Sequence, residues 1–299
     1  MMHYDDFESV NLEVENGVSI FAKVAGKGLP LLLLHGYPQT HMCWHKIAPA
    51  LVAAGFRVIA PDLRGYGASS KPVSDPAHTP YSKRVMARDQ LSLMAALGHE
   101  RFFVAGHDRG GRVAHRLAVD HPHAVEKLAV LDIAPTLSMF EGTDQAFATA
   151  YYHWFFLIQP YPLPEKLIGA DPQFYLESKI KAWGRIKNSF SDTIMAHYIA
   201  AFSKAEAIHA SCEDYRAAAS IDLEHARADI AAGRQIACPL LSLWGTQGFA
   251  AQSYDLLATW RAVSSHVVAG QGFDCGHFVP EEKPAETLAA FCRFFGSSQ

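Results

Sequence analysis

Blocks of like charge and long apolar runs are both missing from this sequence of 299 residues. No block of five or six Lys or Arg occurs, and 26 basic residues against 30 acidic ones leave a formal net charge of −4. This balance argues against a nucleic-acid partner, because phosphate backbones are bound by clustered positive charge. Apolar runs such as Leu31–Leu34 are far too short to cross a bilayer. We therefore expect neither nucleic-acid binding nor membrane insertion.

Cysteine is scarce and follows no pairing pattern. The chain has five cysteines, an odd number, and no C-x-x-C pair, which argues against a disulfide framework and against a structural zinc site. The segment Met1–Val10 is acidic and contains no apolar stretch of the kind found in signal peptides. These features predict a cytoplasmic protein that needs no metal.

Strand-like and helix-like segments alternate along the first 133 residues, which is typical of parallel β–α–β units. The chain is 49% hydrophobic and can bury a large core. The predicted strands here are Val10–Val14 and Val18–Val24, joined by a turn at Asn16-Gly17, then Leu31–Leu34, Arg57–Ala60, Phe102–Ala105 and Leu128–Ile133. The predicted helices are Met42–Ala54, Ser82–Leu97 and Gly110–Val119.

Residues 134–233 break this pattern, because they contain no convincing strand and hold 15 of the 34 aromatic residues (18 Phe, 11 Tyr and 5 Trp). Alternation then resumes with strands at Pro239–Trp244 and His266–Val268 and helices at Tyr254–Val263 and Glu282–Phe295. The pattern predicts an α/β fold with a mostly parallel central sheet. Residues 1–133 and 234–299 form its core domain, and 134–233 form an inserted helical cap over a pocket. A second helical core would show the same aromatic enrichment.

The segment Gly106-His107-Asp108-Arg109-Gly110 lies between a predicted strand and a predicted helix. Small residues around a central acid allow the tight turn of a nucleophile elbow, with aspartate where an esterase carries serine. The alternative is that Asp108 caps the following helix. A carboxylate that attacks saturated carbon forms a stable alkyl ester, which water can hydrolyse, whereas attack on an ester would form a reactive anhydride. Asp108 therefore indicates displacement at a carbon–halogen bond or an epoxide.

A histidine and a second acid should follow the nucleophile along the chain. His277 lies in the loop between the last predicted strand and the last predicted helix. The loop after Pro239–Trp244 contains no carboxylate, so we assign the acid to Asp132, near the end of the strand that follows the elbow helix. Asp132 could instead cap the connection into the cap segment.

Two further functions are predicted beside the elbow. The backbone N–H groups of Tyr37, after His35-Gly36, and of Arg109 are candidates for an oxyanion hole. Arg109 and Arg112 lie three apart at the start of a helix, hence on one face, where two guanidinium forks could hold a small carboxylate. The alternative for these arginines is surface ion pairing.

Seven segments resemble the α/β-hydrolase fluoroacetate (haloacetate) dehalogenases, over nearly the whole chain: HGYPQT, PDLRGYGASSKP, GHDRGGRVAHRLA, LDIAPT, YYHWFF, CEDYRAAASIDLEHARAD and CGHF. The elbow and the H-G-x-P segment are shared with epoxide hydrolases and haloalkane dehalogenases. The D-R-G-G-R run, the His-Trp pair and the Tyr of CEDYRAA are more specific. Tyr37 departs from the Phe that the family pattern leads us to expect.

The resemblance implies an α/β-hydrolase fold and the hydrolysis of haloacetates, such as fluoroacetate and chloroacetate, to glycolate and halide through an aspartyl ester. It also implies no cofactor, a small haloacid as the substrate partner, and a homodimer. The halide-binding residues that it implies are His153, Trp154 and Tyr215. By packing alone these three side chains would more often belong to a core.

Two alternatives remain open from the sequence. An epoxide hydrolase would use the same Asp, His and Asp, with Tyr152 and Tyr215 protonating the opened oxygen. Arg109 disfavours this reaction, because a neutral substrate gains nothing from an arginine there. A non-catalytic binding protein on the same fold is the other alternative, and the intact set of nucleophile, base and acid disfavours it.

Overall fold

One sheet runs through the part of the chain that the computed structural model describes, residues 2–15 and 17–296. Its described strands follow the order β1-β2-β4-β3-β5-β6-β7-β8. Strands β1 and β2 pair antiparallel with their neighbours, and β3 to β8 pair in parallel. The strands are β1 (Glu8–Glu15), β2 (Val18–Ala25), β3 (Leu29–Leu34), β4 (Phe56–Pro61), β5 (Phe102–His107), β6 (Val125–Leu131), β7 (Leu240–Gly245) and β8 (Val268–Phe273). The predicted α/β fold with a mostly parallel sheet is confirmed.

Helices cover this sheet along the first and last parts of the chain. They are α1 (Ala48–Ala53), α2 (Lys83–Ala96), α3 (Arg109–Asp120), α12 (Phe249–Ser253), α13 (Leu256–Arg261), α14 (Val279–Glu282) and α15 (Pro284–Gly296). Short 3₁₀ turns occupy Tyr4–Asp6, His41–Trp44 and Thr79–Tyr81. Strand β5 is buried along its whole length, as expected of a parallel strand that is covered on both faces.

The chain between β6 and β7 forms only helices among the described residues. They are α4 (Thr136–Glu141), α5 (Gln145–Ala150), α6 (Tyr152–Leu157), α7 (Leu163–Ala170), α8 (Pro172–Trp183), α9 (Asp192–Phe202), α10 (Ala205–Ala218) and α11 (Ile221–Ala231). All of them lie within 134–233, the segment predicted to be a cap. The division into a core domain and a cap domain remains a prediction.

Several predicted boundaries are wrong. The last strand is β8, not His266–Val268, and its Gly270 and Gly272 weaken the strand pattern in the sequence. Within the predicted helix Tyr254–Val263 the structure has only the shorter α13, and α12 precedes it as a separate helix. The predicted helix Met42–Ala54 is a 3₁₀ turn followed by α1. Asn16 of the predicted turn lies outside the described residues.

The parallel strands end at one edge of the sheet, where chemically active side chains follow them directly. Asp108 comes immediately after β5, Asp132 after β6, and His277 lies in the loop between β8 and α14. Residues at the carboxyl ends of parallel strands share one crevice. The fold therefore brings these three side chains, which are far apart in the sequence, to the same region. Within the described residues, no helix is long and apolar enough to cross a membrane.

Candidate active site

Asp108 occupies a strained turn between β5 and α3. Its backbone has φ 46° and ψ −115°, in a region that side-chain-bearing residues rarely adopt. The turn is tight, since a Cβ added to Gly110 would lie 2.4 Å from the carbonyl oxygens of His35 and Leu34. Among the described residues, the Asp108 carboxylate accepts no hydrogen bond from the first turn of α3. The helix-cap alternative therefore has no support, and the turn has the form of a nucleophile elbow.

The Asp108 carboxylate is buried and ionised. Its Oδ1 accepts a hydrogen bond of 2.9 Å from the backbone N–H of Tyr37. Burial alone would raise the pKa of Asp108, but the neighbouring charges of His277, His107, Arg109 and Arg112 bring this pKa below its ordinary value. The side chain is thus in the form that can act as a nucleophile.

Asp132 and His277 are joined by a short hydrogen bond. Asp132 has φ 53°; its Oδ1 accepts the N–H of Gly245 at 3.0 Å, and its Oδ2 lies 2.6 Å from Nδ1 of His277. Burial lowers the pKa of His277, but the hydrogen bond and charge of Asp132, together with the charge of Asp108, raise it above its usual value. With Nδ1 held by Asp132, the imidazole has Nε2 left to exchange a proton.

The guanidinium of Arg109 is fully buried and largely committed to an acid from α10. Nε and Nη2 donate to the Asp214 carboxylate at 3.0 and 2.7 Å, and Nη2 also donates to the Asp214 carbonyl at 2.9 Å. Burial lowers the pKa of Arg109, but the charge of Asp214 more than offsets this and holds the pKa above its usual range. Within the described chain, Nη1 is the nitrogen of this fork that has no partner.

The guanidinium of Arg112, like that of Arg109, has partners for two of its three nitrogens. Nη1 donates to the Ala134 carbonyl at 3.1 Å and to Thr136 Oγ1 at 2.8 Å, and Nη2 contacts Met139 Sδ at 3.1 Å. Its Nε has no partner among the residues described. Burial, followed by the charge of Arg109, lowers the pKa of Arg112 to about 10, so the group stays cationic at neutral pH. The sequence led us to expect two guanidinium forks that are both open to a carboxylate. In the described structure, only one nitrogen of each arginine has no hydrogen-bond partner.

His153, Trp154 and Tyr215 are all buried and lie beside these arginines. The Tyr215 ring is 4.2 Å from the Arg109 guanidinium carbon, and the Trp154 ring is 4.8 Å from that of Arg112. The His153 ring lies 5.7 Å from that of Tyr215 and parallel to that of Tyr37. Burial, reinforced by the charge of Lys179, lowers the pKa of His153 well below its usual value, so its imidazole is neutral. Its Nδ1 is buried with no partner in the described chain.

A cavity of about 460 Å³ is lined by His277 and by residues of the predicted cap, and its described lining does not include Asp108, Arg109 or Arg112. Its walls include Tyr151, Tyr152, Lys179 and Trp183, and the indole of Trp183 packs 5.7 Å from the His277 ring. The cavity is large enough for a small organic acid. No group of three or more His, Cys, Asp or Glu among residues 2–15 and 17–296 is arranged to hold a metal ion.

Sequence reasoning missed Asp214, although it directly precedes Tyr215 in CEDYRAA. The sequence carries no clear signal for it, because α10 also contains Glu206, Glu213 and Arg216. Only the burial of Asp214 shows that its carboxylate needs a cationic partner. It also missed Lys179, whose ammonium lies 3.8 Å from the Tyr152 ring centre and bonds the Tyr152 hydroxyl. Burial lowers the pKa of Lys179 to about 8.

Comparisons with known proteins show which proteins this chain is similar to. The family model described as alpha/beta hydrolase fold matches residues 30–284. The chain is 43% identical to a fluoroacetate dehalogenase from Burkholderia sp over 99% of its own length and 96% of that protein. It is 35% identical to a soluble epoxide hydrolase from Corynebacterium sp. (strain C12) over 94% of each chain. A provisionally assigned α/β hydrolase from Nostoc sp PCC 7120 has a similar structure, with a TM-score of 0.96, 56% identity, and coverage of 99% and 100% of the two chains.

Proposed function

The chain belongs to the α/β-hydrolase fold family, and on that premise we propose that it hydrolyses haloacetates to glycolate and halide. The observation that carries this proposal is the buried, ionised Asp108 carboxylate, on which the charges of Arg109 and Arg112 act, while one nitrogen of each arginine has no partner in the described chain. Two fixed cations next to a carboxylate nucleophile suit a substrate that is itself a small anion, because they offset its repulsion from Asp108. The similarity to a fluoroacetate dehalogenase supports the same substrate class.

In the first step, a carboxylate oxygen of Asp108 attacks the α-carbon of the haloacetate. The new carbon–oxygen bond forms as the carbon–halogen bond breaks, and the halide leaves with the bonding electron pair. Arg109 and Arg112 hold the substrate carboxylate and so align its α-carbon. His153, Trp154 and Tyr215 supply N–H and O–H donors to the departing halide, which replace its lost hydration.

In the second step, His277 takes a proton from water, and the resulting hydroxide adds to the Asp108 ester carbonyl. The negative oxygen that develops is stabilised by the backbone N–H groups of Tyr37 and Arg109. The hydrogen bond of 2.9 Å from the Tyr37 N–H to Asp108 supports this role. The intermediate then collapses and its bond to the glycolate oxygen breaks, and that oxygen takes the proton from His277. Asp108 is regenerated with one oxygen from water and loses its remaining proton to solvent. Asp132 stabilises the protonated imidazole.

Epoxide hydrolysis is the second candidate, and the 35% identity to an epoxide hydrolase supports it. The same nucleophile and base would serve, with Tyr152 and Tyr215 as acids. Tyr152 is half exposed and its hydroxyl is bonded to Lys179 at the cavity wall. The buried cations beside Asp108 favour an anionic substrate over a neutral epoxide. Turnover of epoxides without turnover of haloacetates would replace our proposal with this one.

Halide release from fluoroacetate and chloroacetate, measured with ion-selective electrodes, tests the proposed function. A single turnover in ¹⁸O-water should then label Asp108, and the first glycolate released should carry no label. Label that appears directly in the first glycolate would contradict the covalent route. A protein that turns over neither haloacetates nor epoxides would support the non-catalytic alternative.

Replacing Asp214 by Asn should weaken substrate binding, because Arg109 then loses the charge that fixes its fork. We expect the KM for chloroacetate to rise about tenfold or more, with kcat changed less. The free energy of unfolding should fall by about 3–5 kcal/mol, since Arg109 and Lys83 both lose a buried partner. Steady-state kinetics and urea unfolding measure the two effects. Glu206→Gln, at an exposed acid of the same helix, is the matched control; equal KM values in both variants would contradict the role of Asp214.

We also propose that the protein is a cytoplasmic homodimer. Four large apolar side chains on or beside α7 and α8 are exposed, namely Tyr161, Leu163, Leu167 and Phe174. Surfaces of this kind often mark contacts between proteins. Light scattering should give twice the chain mass of 32.8 kDa, and a mass equal to one chain would contradict the dimer.

A further inference from the structure

Glu282, a buried residue at the end of α14, follows the loop that carries His277. Its carboxylate accepts hydrogen bonds from four backbone N–H groups. The donors are Gly276 at 3.0 Å, Phe278 at 3.0 Å, Arg185 at 2.8 Å and Ile186 at 2.9 Å. A single side chain thus satisfies donors from two segments of the chain that are about ninety residues apart.

The first pair of donors lies immediately on either side of His277. The second pair comes just after Trp183, the residue that ends α8 and lines the cavity. The two segments also bond directly, since the backbone N–H of His277 donates to the Trp183 carbonyl at 3.0 Å. A Cβ added to Gly276 would lie 2.3 Å from that carbonyl oxygen, so the segments are in close backbone contact. Glu282 therefore joins the His277 loop to the cap.

The chemistry of this contact requires a carboxylate. An ionised carboxylate only accepts hydrogen bonds, and here Oε2 accepts three of the four while Oε1 accepts the one from Phe278. Hydrogen bonds to an ionised acceptor are also stronger than those between neutral groups. An amide of the same size would turn one acceptor atom into a donor, which would then face backbone N–H groups.

We propose that Glu282 is a positioning residue that holds His277 in place for ester hydrolysis by binding its loop to residues 185 and 186 of the cap. This inference rests on the proposed function, because it assigns His277 to the second chemical step. The hydrogen bonds of the Glu282 carboxylate described above all come from backbone N–H groups, and none comes from the side chains of Asp108, Asp132 or His277. Its neighbour Glu281 makes a separate contact with the cap, accepting a hydrogen bond of 3.0 Å from the Tyr198 hydroxyl. The attachment of the cap at Glu281 therefore remains when Glu282 is altered.

The two chemical steps distinguish positioning of His277 from a general structural role. The first step uses Asp108 and the arginines, and only the second uses His277. In Glu282→Gln we expect ester hydrolysis to slow by about tenfold to a hundredfold, because a small displacement of a general base is costly. Ester formation and the KM for chloroacetate should stay within about twofold of the native values. The ester on Asp108 should therefore accumulate.

Rapid quenching followed by mass spectrometry of the Asp108 peptide measures both steps in a single turnover of chloroacetate. Glu286→Gln, at an exposed acid of α15, is the matched control and should behave as the native protein. If Glu282→Gln fails to fold, Glu282→Asp replaces it in the experiment. Asp keeps the negative charge on a shorter side chain, and ester hydrolysis should also be slower in this variant than in the native protein.

Native rates of hydrolysis in the folded variant would overturn the inference, as would an equal loss of both steps, which would indicate a general structural role. If Glu282→Asp is used instead, a native rate of ester hydrolysis in that variant overturns the inference. Failure of the proposed function gives a different result, because the native protein itself would then form no ester on Asp108.

Discussion

The Asp108→Asn variant should release no halide above background, a loss of about 10⁵-fold or more in kcat. An amide oxygen is a far weaker nucleophile than a carboxylate, so the carbon–halogen bond is not attacked. The amide can still accept the hydrogen bond from the Tyr37 N–H, so the fold should survive. Fluoride and chloride electrodes measure the loss, and intact mass checks that the amide has not hydrolysed back to aspartate.

The same variant should lower the pKa of His277. In the native protein burial lowers this pKa, while Asp132 and Asp108 raise it above its usual value. Removing the charge of Asp108 removes one of the raising contributions, so the imidazole should lose its proton at a lower pH. A histidine titration followed by NMR measures the shift, with Asp192→Asn at an exposed acid of α9 as the control. Native halide release, or a pKa for His277 that does not fall, would contradict the geometry described for Asp108.

His277→Asn should release one equivalent of halide per active site and then stop. The first step does not need the imidazole, whereas the second has no base to take a proton from water. The ester on Asp108 should therefore be trapped. Mass spectrometry of the intact protein after incubation with chloroacetate should find an added carboxymethyl group, the trapped ester of Asp108.

Two results would count against this assignment of His277. Continued turnover would mean that another group activates the water, and the absence of any halide burst would mean that His277 is needed for the first step. His123→Asn, at an exposed histidine before β6 and so at the opposite end of this strand from Asp132, is the control for histidine loss in general. Its turnover should equal that of the native protein.

Local patterns in the sequence predict the fold and the meeting of Asp108, Asp132 and His277. A strand followed by small residues, an acid and a helix predicts the elbow, because only a tight turn fits that pattern. Parallel strands then bring residues at their carboxyl ends together, whatever their separation in the sequence. The hydrogen bond of 2.6 Å between Asp132 and His277 follows from that arrangement.

Contacts made by the cap could not be predicted in the same way. The pairing of Arg109 with Asp214 and of Glu282 with Arg185 depends on how the cap helices sit on the sheet, which no local pattern encodes. The position of β8 was also missed, because a strand containing Gly270 and Gly272 has little apolar alternation to read.

The cations beside Asp108 lie inside the protein, although the molecule as a whole carries a formal charge of only −4. Arg109 has no exposed surface and Arg112 almost none. Mobile ions screen charges that face the solvent over distances of about 8–10 Å, but they screen buried pairs much less. The attraction between an anion and these two buried cations is therefore largely independent of ionic strength, and the same chemistry is available in dilute and in salt-rich surroundings.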